Sequence, residues 1–360
     1  MELTKCKLGE LITQRREKSD GTPLPICGVS KEGLIPPKQI DADTSIYNVF
    51  YRDDFIFNPA RMELNSIAIN DKYDRAICSS LYEVFYVHRT DLLLPHYLKL
   101  IVKQKWFTRY CEFLGQGSAR EYCRFNNISE IEIEFPSIEE QKKIVEQYTI
   151  LQNRIAIKKQ INDNLEATAE AIYKKFFIEN IDLSDLPANW QMLELGEVAE
   201  LSAGGDRPSV YCDFYTESCT VPIYSNGIED EGLYGYTDKP KISEESVTVS
   251  ARGTVGYVFL RENPYVPIVR LISVIPKKEY VTAKYLYFAL NAIDLQSTGT
   301  SQQQITVPDF KKSKIVVPTI SVMDDFMSKI EPLFACIREN KLEIKSLIAL
   351  QSNYLALLSR

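Results

Sequence analysis

The stretch IEEQKKIVEQYTILQNRIAIKKQINDNL, residues 138–165, decides the fold because its apolar side chains recur in alternating steps of four and three. A second stretch, 182 positions later, places side chains of similar type in the same phase. A period of 3.5 residues is typical of a coiled-coil seam. The first seam comprises Ile144, Tyr148, Leu151, Ile155, Lys158, Asn162, Leu165, Ala169, Ile172 and Phe176, and the second comprises Phe326, Ile330, Leu333, Ile337, Asn340, Ile344, Leu347, Gln351, Tyr354 and Leu358. The sequence therefore predicts two matched long helices.

Each predicted helix follows a block of mixed sequence, and the two blocks share their first and last motifs. Leu8-Gly9-Glu10 opens the first block, and Leu195-Gly196-Glu197 opens the second. Pro136 closes the first block, and Pro318 closes the second at the same offset as the helices. The chain is thus an internal repeat. We predict a first domain over residues 1–137, a helical spacer over 138–180, a second domain with a short entry linker over 181–318 and a second spacer over 319–360.

The blocks have the composition of mixed α/β domains. Short β-rich runs alternate with Asp-Gly, Pro-Pro and Asn-Pro turn signals, and Leu93–Phe113 has a helical pattern. The fold class is therefore predicted to be α+β, with two mixed α/β domains that are each followed by a long helix. Polar seam residues such as Lys158 and Asn340 are of the kind that fixes register. We expect the two helices to pair with each other as an antiparallel coiled coil.

The charge of the chain argues against a basic stripe that would bind nucleic acid without help. The 360 residues carry a net charge of −7, and residues 1–137, 138–187, 188–318 and 319–360 carry −1, −2, −4 and 0. DNA binding would need a local patch or a more basic partner.

With no long apolar run, no signal-peptide core and eight scattered cysteines, we expect a cytoplasmic protein without a membrane partner.

Catalytic and metal-binding motifs are not found in the sequence. Only two histidines, His88 and His96, are present, which leaves little material for a metal cluster or a nucleophile–histidine triad. Neither a Walker loop nor a Gly-x-Gly-x-x-Gly motif occurs. We therefore predict no catalytic residue, no metal site and no cofactor bound by this chain.

Loops rich in Arg, Gln, Asn and Ser remain as candidates, and they recur at comparable places in both blocks. Arginine pairs bidentately with guanine, glutamine and asparagine pair with adenine, and hydroxyl groups hold phosphates. Each loop alone is also consistent with an ordinary polar turn. The candidate DNA-binding residues are Asn58, Arg61, Gln116, Ser118, Arg120 and Arg124 in the first block, and Ser225, Asn226, Ser250, Arg252, Thr254, Gln302, Gln303 and Gln304 in the second.

The combined pattern resembles the specificity (S) subunit of type I restriction-modification systems over essentially the whole chain. The matching stretches are the two Leu-Gly-Glu openings, Asp54–Arg61, Ser66–Ala68, Cys78–Tyr82, Pro136–Gln141, Asn164–Phe177, Leu186–Trp190 and Ala251–Gly256. In that family the blocks are target recognition domains and the helices are spacers.

The resemblance implies a non-catalytic subunit that recognises a bipartite DNA target. Its expected partners are double-stranded DNA, two modification (M) subunits that bind S-adenosylmethionine and methylate adenine, and two restriction (R) subunits. Two other interpretations stay open on the residues alone. One is a coiled-coil scaffold or adaptor that binds proteins, and the other is an enzyme with an unrecognised carboxylate site at Asp53 or Asp54.

Overall fold

The computed structural model describes residues 3–37, 43–115, 122–179, 181–253, 255–293 and 304–358. It divides into two compact units. Unit 1 comprises Met1–Gln160 and Asn340–Arg360, and unit 2 comprises Ile161–Glu339. The two long helices are Ile138–Phe177 and Ile320–Leu357, so each unit contains a segment of both. Each unit therefore combines a mixed α/β block with a pair of helical segments.

Unit 1 contains two four-stranded sheets and a separate strand pair. Its strands are Thr4–Lys7, Ile12–Arg15, Ile26–Ser30, Gly33–Ile35, Asn48–Tyr51, Phe55–Phe57, Ile67–Ile69, Arg75–Cys78, Glu83–Val87 and Glu132–Phe135. Its other helices are Pro95–Val102, Lys105–Gly115 and Phe125–Ser129, with 3₁₀ turns at Leu8–Glu10, Thr44–Ile46 and Pro59–Leu64. The predicted helix over 93–113 is thus two helices with a break at Lys103 and Gln104.

One sheet of unit 1 ends in a hairpin with a nine-residue loop. Its strand order is Ile12–Arg15, Glu83–Val87, Phe55–Phe57 and Ile67–Ile69, and all its neighbours are antiparallel. The last two strands form a hairpin whose loop is residues 58–66. Phe55 and Phe57 are fully buried, so the hairpin is anchored in the hydrophobic core at the point where the loop begins.

Unit 2 has a similar architecture, with one four-stranded sheet, one three-stranded sheet and a separate strand pair among its described residues. Its strands are Gln191–Glu194, Ala199–Ala203, Val221–Tyr224, Leu233–Thr237, Ser246–Val249, Val258–Arg261, Val266–Pro267, Ile272–Pro276 and Lys314–Val317. Its other helices are Leu195–Val198, Ala283–Ala292 and Val307–Phe310, with a 3₁₀ segment at Glu229–Gly232. The four-stranded sheet has the order Ala199–Ala203, Ile272–Pro276, Ser246–Val249 and Val258–Arg261, again antiparallel.

The internal repeat extends to individual hydrogen bonds. In unit 1 the amide of Leu8 donates to the carbonyl of Ile131 at 2.8 Å. In unit 2 the amide of Leu195 donates to the carbonyl of Ser313 at the same distance. The Leu-Gly-Glu motifs therefore begin both blocks by joining the entry strand to the exit strand, as the repeated sequence indicated.

The helical segments of unit 1 run antiparallel. Lys158 Nζ donates to Asn340 Oδ1 at 2.7 Å, and Tyr354 Oη donates to Gln147 Oε1 at 2.6 Å. Residue numbers thus rise along one segment as they fall along the other. Glu343 lies beside the first contact and forms an ion pair with Lys158 at 2.8 Å. The predicted polar seam residues Lys158 and Asn340 meet each other.

The helical segments of unit 2 pack with the block through aromatic rings. Phe177 lies edge-to-face with Phe326 at a centroid distance of 5.0 Å, and with Tyr285 of the block helix at 4.9 Å. Tyr173 stacks on Phe288 at 5.4 Å. These buried rings belong to one hydrophobic core. The mixed block of unit 2 is therefore packed directly on its helical segments.

Candidate nucleic-acid interface

Three of the predicted residues of unit 1 line one concave surface. Asn58, Arg61 and Arg124 lie around a cleft of about 1300 Å³. The cleft is bordered by the hairpin loop at 58–66 and by the end of strand Ile26–Ser30. Concave surfaces with convergent polar groups are the usual place for ligand binding. The structure thus brings together residues that are as many as 66 positions apart in the sequence.

Asn58 and Arg61 have different roles in the hairpin loop. Asn58 Oδ1 accepts from the amide of Ala60 at 3.1 Å, so this side chain caps the 3₁₀ turn that begins at Pro59. Arg61 is exposed, and among the described residues it has no acidic partner. The 3₁₀ turn is capped at its C-terminus by Asn65, which is in the left-handed region at φ 53° and whose Nδ2 donates to the carbonyl of Val102 at 2.7 Å. Asn58 shapes the loop, and Arg61 is the cation it exposes.

Arg124 is exposed but paired. Its Nη1 lies 3.2 Å from Glu83 Oε1, and its guanidinium lies 5.4 Å from the ring centre of Tyr122. Glu83 Oε2 also accepts from the amide of Phe125 at 2.7 Å. The Glu83 carboxylate therefore holds this segment in place and partly neutralises Arg124.

Several predicted residues lie outside the part of the chain that the structure describes. They are Gln116, Ser118, Arg120, Thr254, Gln302 and Gln303. Their proposed contacts with DNA stay predictions.

In unit 2, Arg252 is exposed and supported by Gln304. The Gln304 side-chain oxygen accepts from Nε and Nη2 of Arg252 at 3.2 and 3.1 Å, in the amide orientation that satisfies both side chains. The backbones of the two residues also form a β-bridge. Gln304 therefore holds the Arg252 guanidinium, which leaves the outer edge of that group directed away from the glutamine.

The other candidates of unit 2 that the structure describes are half-buried or buried. Asn226 bonds to the backbone of two other loops. Ser225 is half-buried, and its amide donates to the carbonyl of Gly232 at 2.9 Å. Ser250 is fully buried, and its Oγ makes no hydrogen bond to any described residue. Their side chains are therefore less accessible to a ligand than Arg252.

The hairpin loops of the two units correspond. In unit 1 the amide of Cys123 donates to the carbonyl of Pro59 at 3.0 Å, and in unit 2 the amide of Ile305 donates to the carbonyl of Ala251 at 3.1 Å. Cys123 and Ile305 are 182 positions apart, the same offset as the helices. Arg61 and Arg252 follow these two carbonyls within two residues. Each unit thus displays an arginine from the corresponding hairpin of its own four-stranded sheet.

Arg270 is an exposed cation of unit 2 that sequence reasoning missed. It follows strand Val266–Pro267, and both Val269 and Arg270 have left-handed backbone, with φ of 51° and 63°. Left-handed non-glycine residues are uncommon and cluster at functional sites. No sequence signal could have marked them, because neither residue type favours that conformation.

Asp54 has a structural role. It is 1% exposed, and its carboxylate accepts from Arg15 Nε at 2.6 Å and from the amide of Tyr51 at 2.7 Å. Burial nevertheless raises the pKa of Asp54, while the bonds from Arg15 and Tyr51 oppose this rise. A carboxylate enclosed in this way is poorly placed to meet a substrate.

The described residues contain neither a metal-binding cluster nor a membrane-spanning helix. Within these ranges, no three residues among His, Cys, Asp and Glu are grouped so that they could hold a metal ion. No helix in the same ranges combines the length and apolar composition needed to cross a bilayer.

Comparisons with known proteins agree with this architecture. The family described as "Type I restriction modification DNA specificity domain" matches residues 40–167 and 187–348, which together are well over half of the chain. Two Mycoplasma pneumoniae proteins named as type I specificity subunits, S.MpnORF89P and S.MpnORF507P, are each 29% identical over 242 and 229 residues. The matched regions are 62% of this chain in both cases, and 69% and 61% of those proteins.

A solved structure has a similar fold. The crystal structure of a type I restriction-modification S subunit from M. genitalium aligns with 99% of this chain and 96% of its own, with a TM-score of 0.64 and 16% identity. This likeness concerns the fold, namely two α/β blocks with long helices.

Proposed function

The chain belongs to the type I restriction modification DNA specificity family, and on that premise we propose that its two units read the two halves of one bipartite DNA target. Residues 1–137 and 181–318 would be the target recognition domains. The long helices over 138–180 and 319–360 would be the spacers that set the distance between the half-sites.

One observation carries this proposal. Both units display an exposed arginine from the same hairpin of the same sheet, and the same backbone hydrogen bond closes both loops. A duplicated surface of this kind suits a target with two similar halves. Arginine is the side chain that most often reads guanine in the major groove, and a good bidentate pair contributes about 1–3 kcal/mol of discrimination.

The proposal accounts for the acidic charge of the chain. At a net charge of −7 the protein offers little general attraction for phosphates, which supply most of the nonspecific affinity in DNA binding. We infer that M subunits provide that affinity by enclosing the duplex, and that this chain provides the choice of sequence. Two M subunits and two R subunits would assemble with one copy of the chain, in the cytoplasm.

The chemistry would belong to the M subunit. S-adenosylmethionine bound there would donate the methyl group, and the target adenine would be flipped out of the duplex to reach it. This chain would hold no cofactor and perform no catalysis. Its contribution would be to position each M subunit at one half-site, on opposite strands.

The test is to express the chain with its M subunit in a host without DNA methylation and to map N6-methyladenine by single-molecule sequencing. We expect one bipartite motif, methylated on both strands only when this chain is present. A complex that forms but leaves the DNA unmodified would contradict the proposal and favour a protein-binding scaffold. Turnover by the isolated chain would favour an enzyme.

A further inference from the structure

Asn226 joins two loops of unit 2 through its side chain. Its Oδ1 accepts from the amide of Ala251 at 2.8 Å, and its Nδ2 donates to the carbonyl of Val269 at 2.6 Å. Arg252 follows Ala251, and Arg270 follows Val269. One half-buried amide thus fixes the backbone immediately before two exposed arginines.

The corresponding loop of unit 1 is capped differently. There Asn58, the first residue of the hairpin loop, accepts from the amide of Ala60 at 3.1 Å and closes the turn locally. In unit 2 the hairpin loop begins with Ser250, whose hydroxyl makes no hydrogen bond to any described residue. The cap in unit 2 comes instead from Asn226, which lies on another strand connection, 25 residues earlier in the chain. This replacement links the hairpin loop to a second loop.

That second loop is held in a strained conformation. Val269 and Arg270 both have left-handed backbone, a conformation that residues other than glycine adopt only at a cost in free energy. The amides of Val269 and Arg270 donate to the carbonyls of Gly205 and Gly204 at 2.9 and 3.0 Å. A Cβ on Gly204 would lie 2.7 Å from the carbonyl carbon of Pro267, so this approach requires glycine. Because strain persists only where surrounding contacts impose it, the contacts with Gly204 and Gly205 fix the backbone at Val269 and Arg270.

The two arginines are held differently. Gln304 bonds to Nε and Nη2 of Arg252, which restricts the guanidinium to one orientation. Arg270 has neither an acidic partner nor a supporting amide among the described residues. A fixed guanidinium suits base reading, which needs defined geometry, whereas a mobile one suits a phosphate.

We propose that Asn226 is a positioning residue that holds both loops, and that Arg270 contacts a DNA phosphate beside the base read by Arg252. This rests on the proposed function of unit 2. It makes Asn226 and Gln304 supports for arginine, in place of the adenine contacts that their residue types indicate.

The test uses the complex of the full chain with its M subunit, and it has two readouts. One is the methylated motif, and the other is the salt dependence of binding to a duplex that carries the motif. For Arg270→Ala we expect the same motif and a slope of log K against log salt that is smaller by about 1, as for the loss of one phosphate contact. For Arg252→Ala we expect modification through the second half-site to be lost.

Two substitutions of Asn226 separate its bond to Ala251 from its bond to Val269. Asn226→Asp keeps an acceptor for the Ala251 amide but places a carboxylate against the Val269 carbonyl. We expect this variant to keep the motif and to lose the Arg270 contribution to the salt slope. Asn226→Ala removes both bonds, and we expect it to relax the second half-site as well, with the first half-site unchanged.

Matched controls are available in the same unit. Lys278 is exposed and lies two residues after strand Ile272–Pro276, whereas Arg270 lies two residues before it, so Lys278→Ala removes the same charge at the opposite end of the strand. Asn291→Ala removes one bond from a side-chain amide to a backbone carbonyl, at Tyr287 in a helix. We expect both controls to match the wild type.

The outcomes are distinguishable. If the wild-type complex yields no bipartite motif, the proposed function fails. If the wild type yields the motif but the Asn226 and Arg270 variants behave like the controls, the inference is overturned. Arg270→Ala and Asn226→Asp keep the core intact, so they decide the matter even if Asn226→Ala does not fold.

Discussion

Arg61 is the residue of unit 1 that most closely corresponds to Arg252. It is exposed in the hairpin loop and borders the cleft of about 1300 Å³. Arg124 lies on the same cleft, but its pairing with Glu83 lowers the charge it can offer to DNA. At the scale of single residues, the first half-site should therefore depend more on Arg61 than on Arg124.

We predict that Arg61→Ala impairs methylation through the first half-site and leaves the bases required in the second half-site unchanged. Stability should change by less than about 0.5 kcal/mol, because the side chain is exposed. The control is Arg89→Ala. Arg89 is also an exposed arginine, but it pairs with Asp91 and lies beyond Val87, at the end of strand Glu83–Val87 that is away from the hairpin loop. Motif mapping of both variants checks this, and an unchanged motif in Arg61→Ala would remove Arg61 from the interface.

Lys284 is a buried cation that ties the block of unit 2 to its helical segment. Its Nζ contacts the carboxylates of Glu245 and Glu331, the latter at 3.1 Å and on the second long helix. Burial alone would lower the pKa of Lys284, but these carboxylates raise it above its usual value. For the acid Glu331, burial acts to raise the pKa. The bonds from Lys284 and Arg338 outweigh burial, so the pKa of Glu331 is lowered from its usual value of 4.5.

We predict that Lys284→Met destabilises unit 2 by about 2 kcal/mol. This is less than the destabilisation expected when one partner of a fully buried ion pair is removed, because the carboxylates here are partly exposed. The pKa of Glu331 is lower in the folded state, so its stabilising effect is present above pH 4.5 and is lost as pH falls through the folded value. Thermal melts between pH 7 and pH 3 should therefore show a smaller acid-induced loss in the variant. Lys278→Met is the exposed control, and an equal acid-induced loss in Lys284→Met would refute this role.

At the scale of elements, the second long helix continues through Pro332. A proline inside a helix removes one backbone hydrogen bond and costs about 3 kcal/mol or more. On either side of it, Ile330 and Phe334 are buried in the core of unit 2. Packing of an apolar face thus outweighs local propensity, which is the usual source of helix stability in proteins.

The contact of Lys158 with Asn340 gives a prediction at the same scale. Lys158→Met and Asn340→Leu should each destabilise unit 1 by about 1 kcal/mol, because each leaves a partly buried polar group without one of its partners. The double variant should recover most of that loss, since two apolar side chains then meet in the seam. Denaturant unfolding of the four proteins in a double-mutant cycle checks this. Strict additivity would mean that the two residues do not interact.

For the whole molecule, the ruler role proposed for the helices predicts a change in target spacing. One heptad inserted after Gln160 and one after Glu339, where the two units divide, adds about 10.5 Å of helix at 1.5 Å per residue. At about 3.4 Å per base pair, the spacer of the methylated motif should lengthen by about three base pairs. The bases of both half-sites should stay the same.

The control for this experiment is a two-residue insertion at the same two places, which turns the apolar seam by about 200° around the helix axis and should abolish modification. Single-molecule methylation mapping reads both variants. An unchanged spacer in the heptad variant would refute the ruler.

The sequence by itself determined the repeat and the long helices. Apolar side chains at a 3.5-residue period must lie along one face of a helix, and the 182-residue offset recurs in the backbone bonds of Cys123 and Ile305. Such local periodicity can be identified from the sequence without a tertiary structure, because it depends only on helix geometry. The mixed α/β class of both blocks also followed from short strands and turn signals.

Only the tertiary structure decided which polar residues face outward. Asn226, Ser250 and Arg252 are similar as sequence signals, yet one joins two loops, one is buried and one is exposed. Arg270 carried no signal, because its left-handed backbone is imposed by Gly204 and Gly205 from a distant part of the chain. Residue type sets what a side chain can bond to, but long-range backbone contacts set what it meets. The accessible surface therefore becomes known only after the chain has folded.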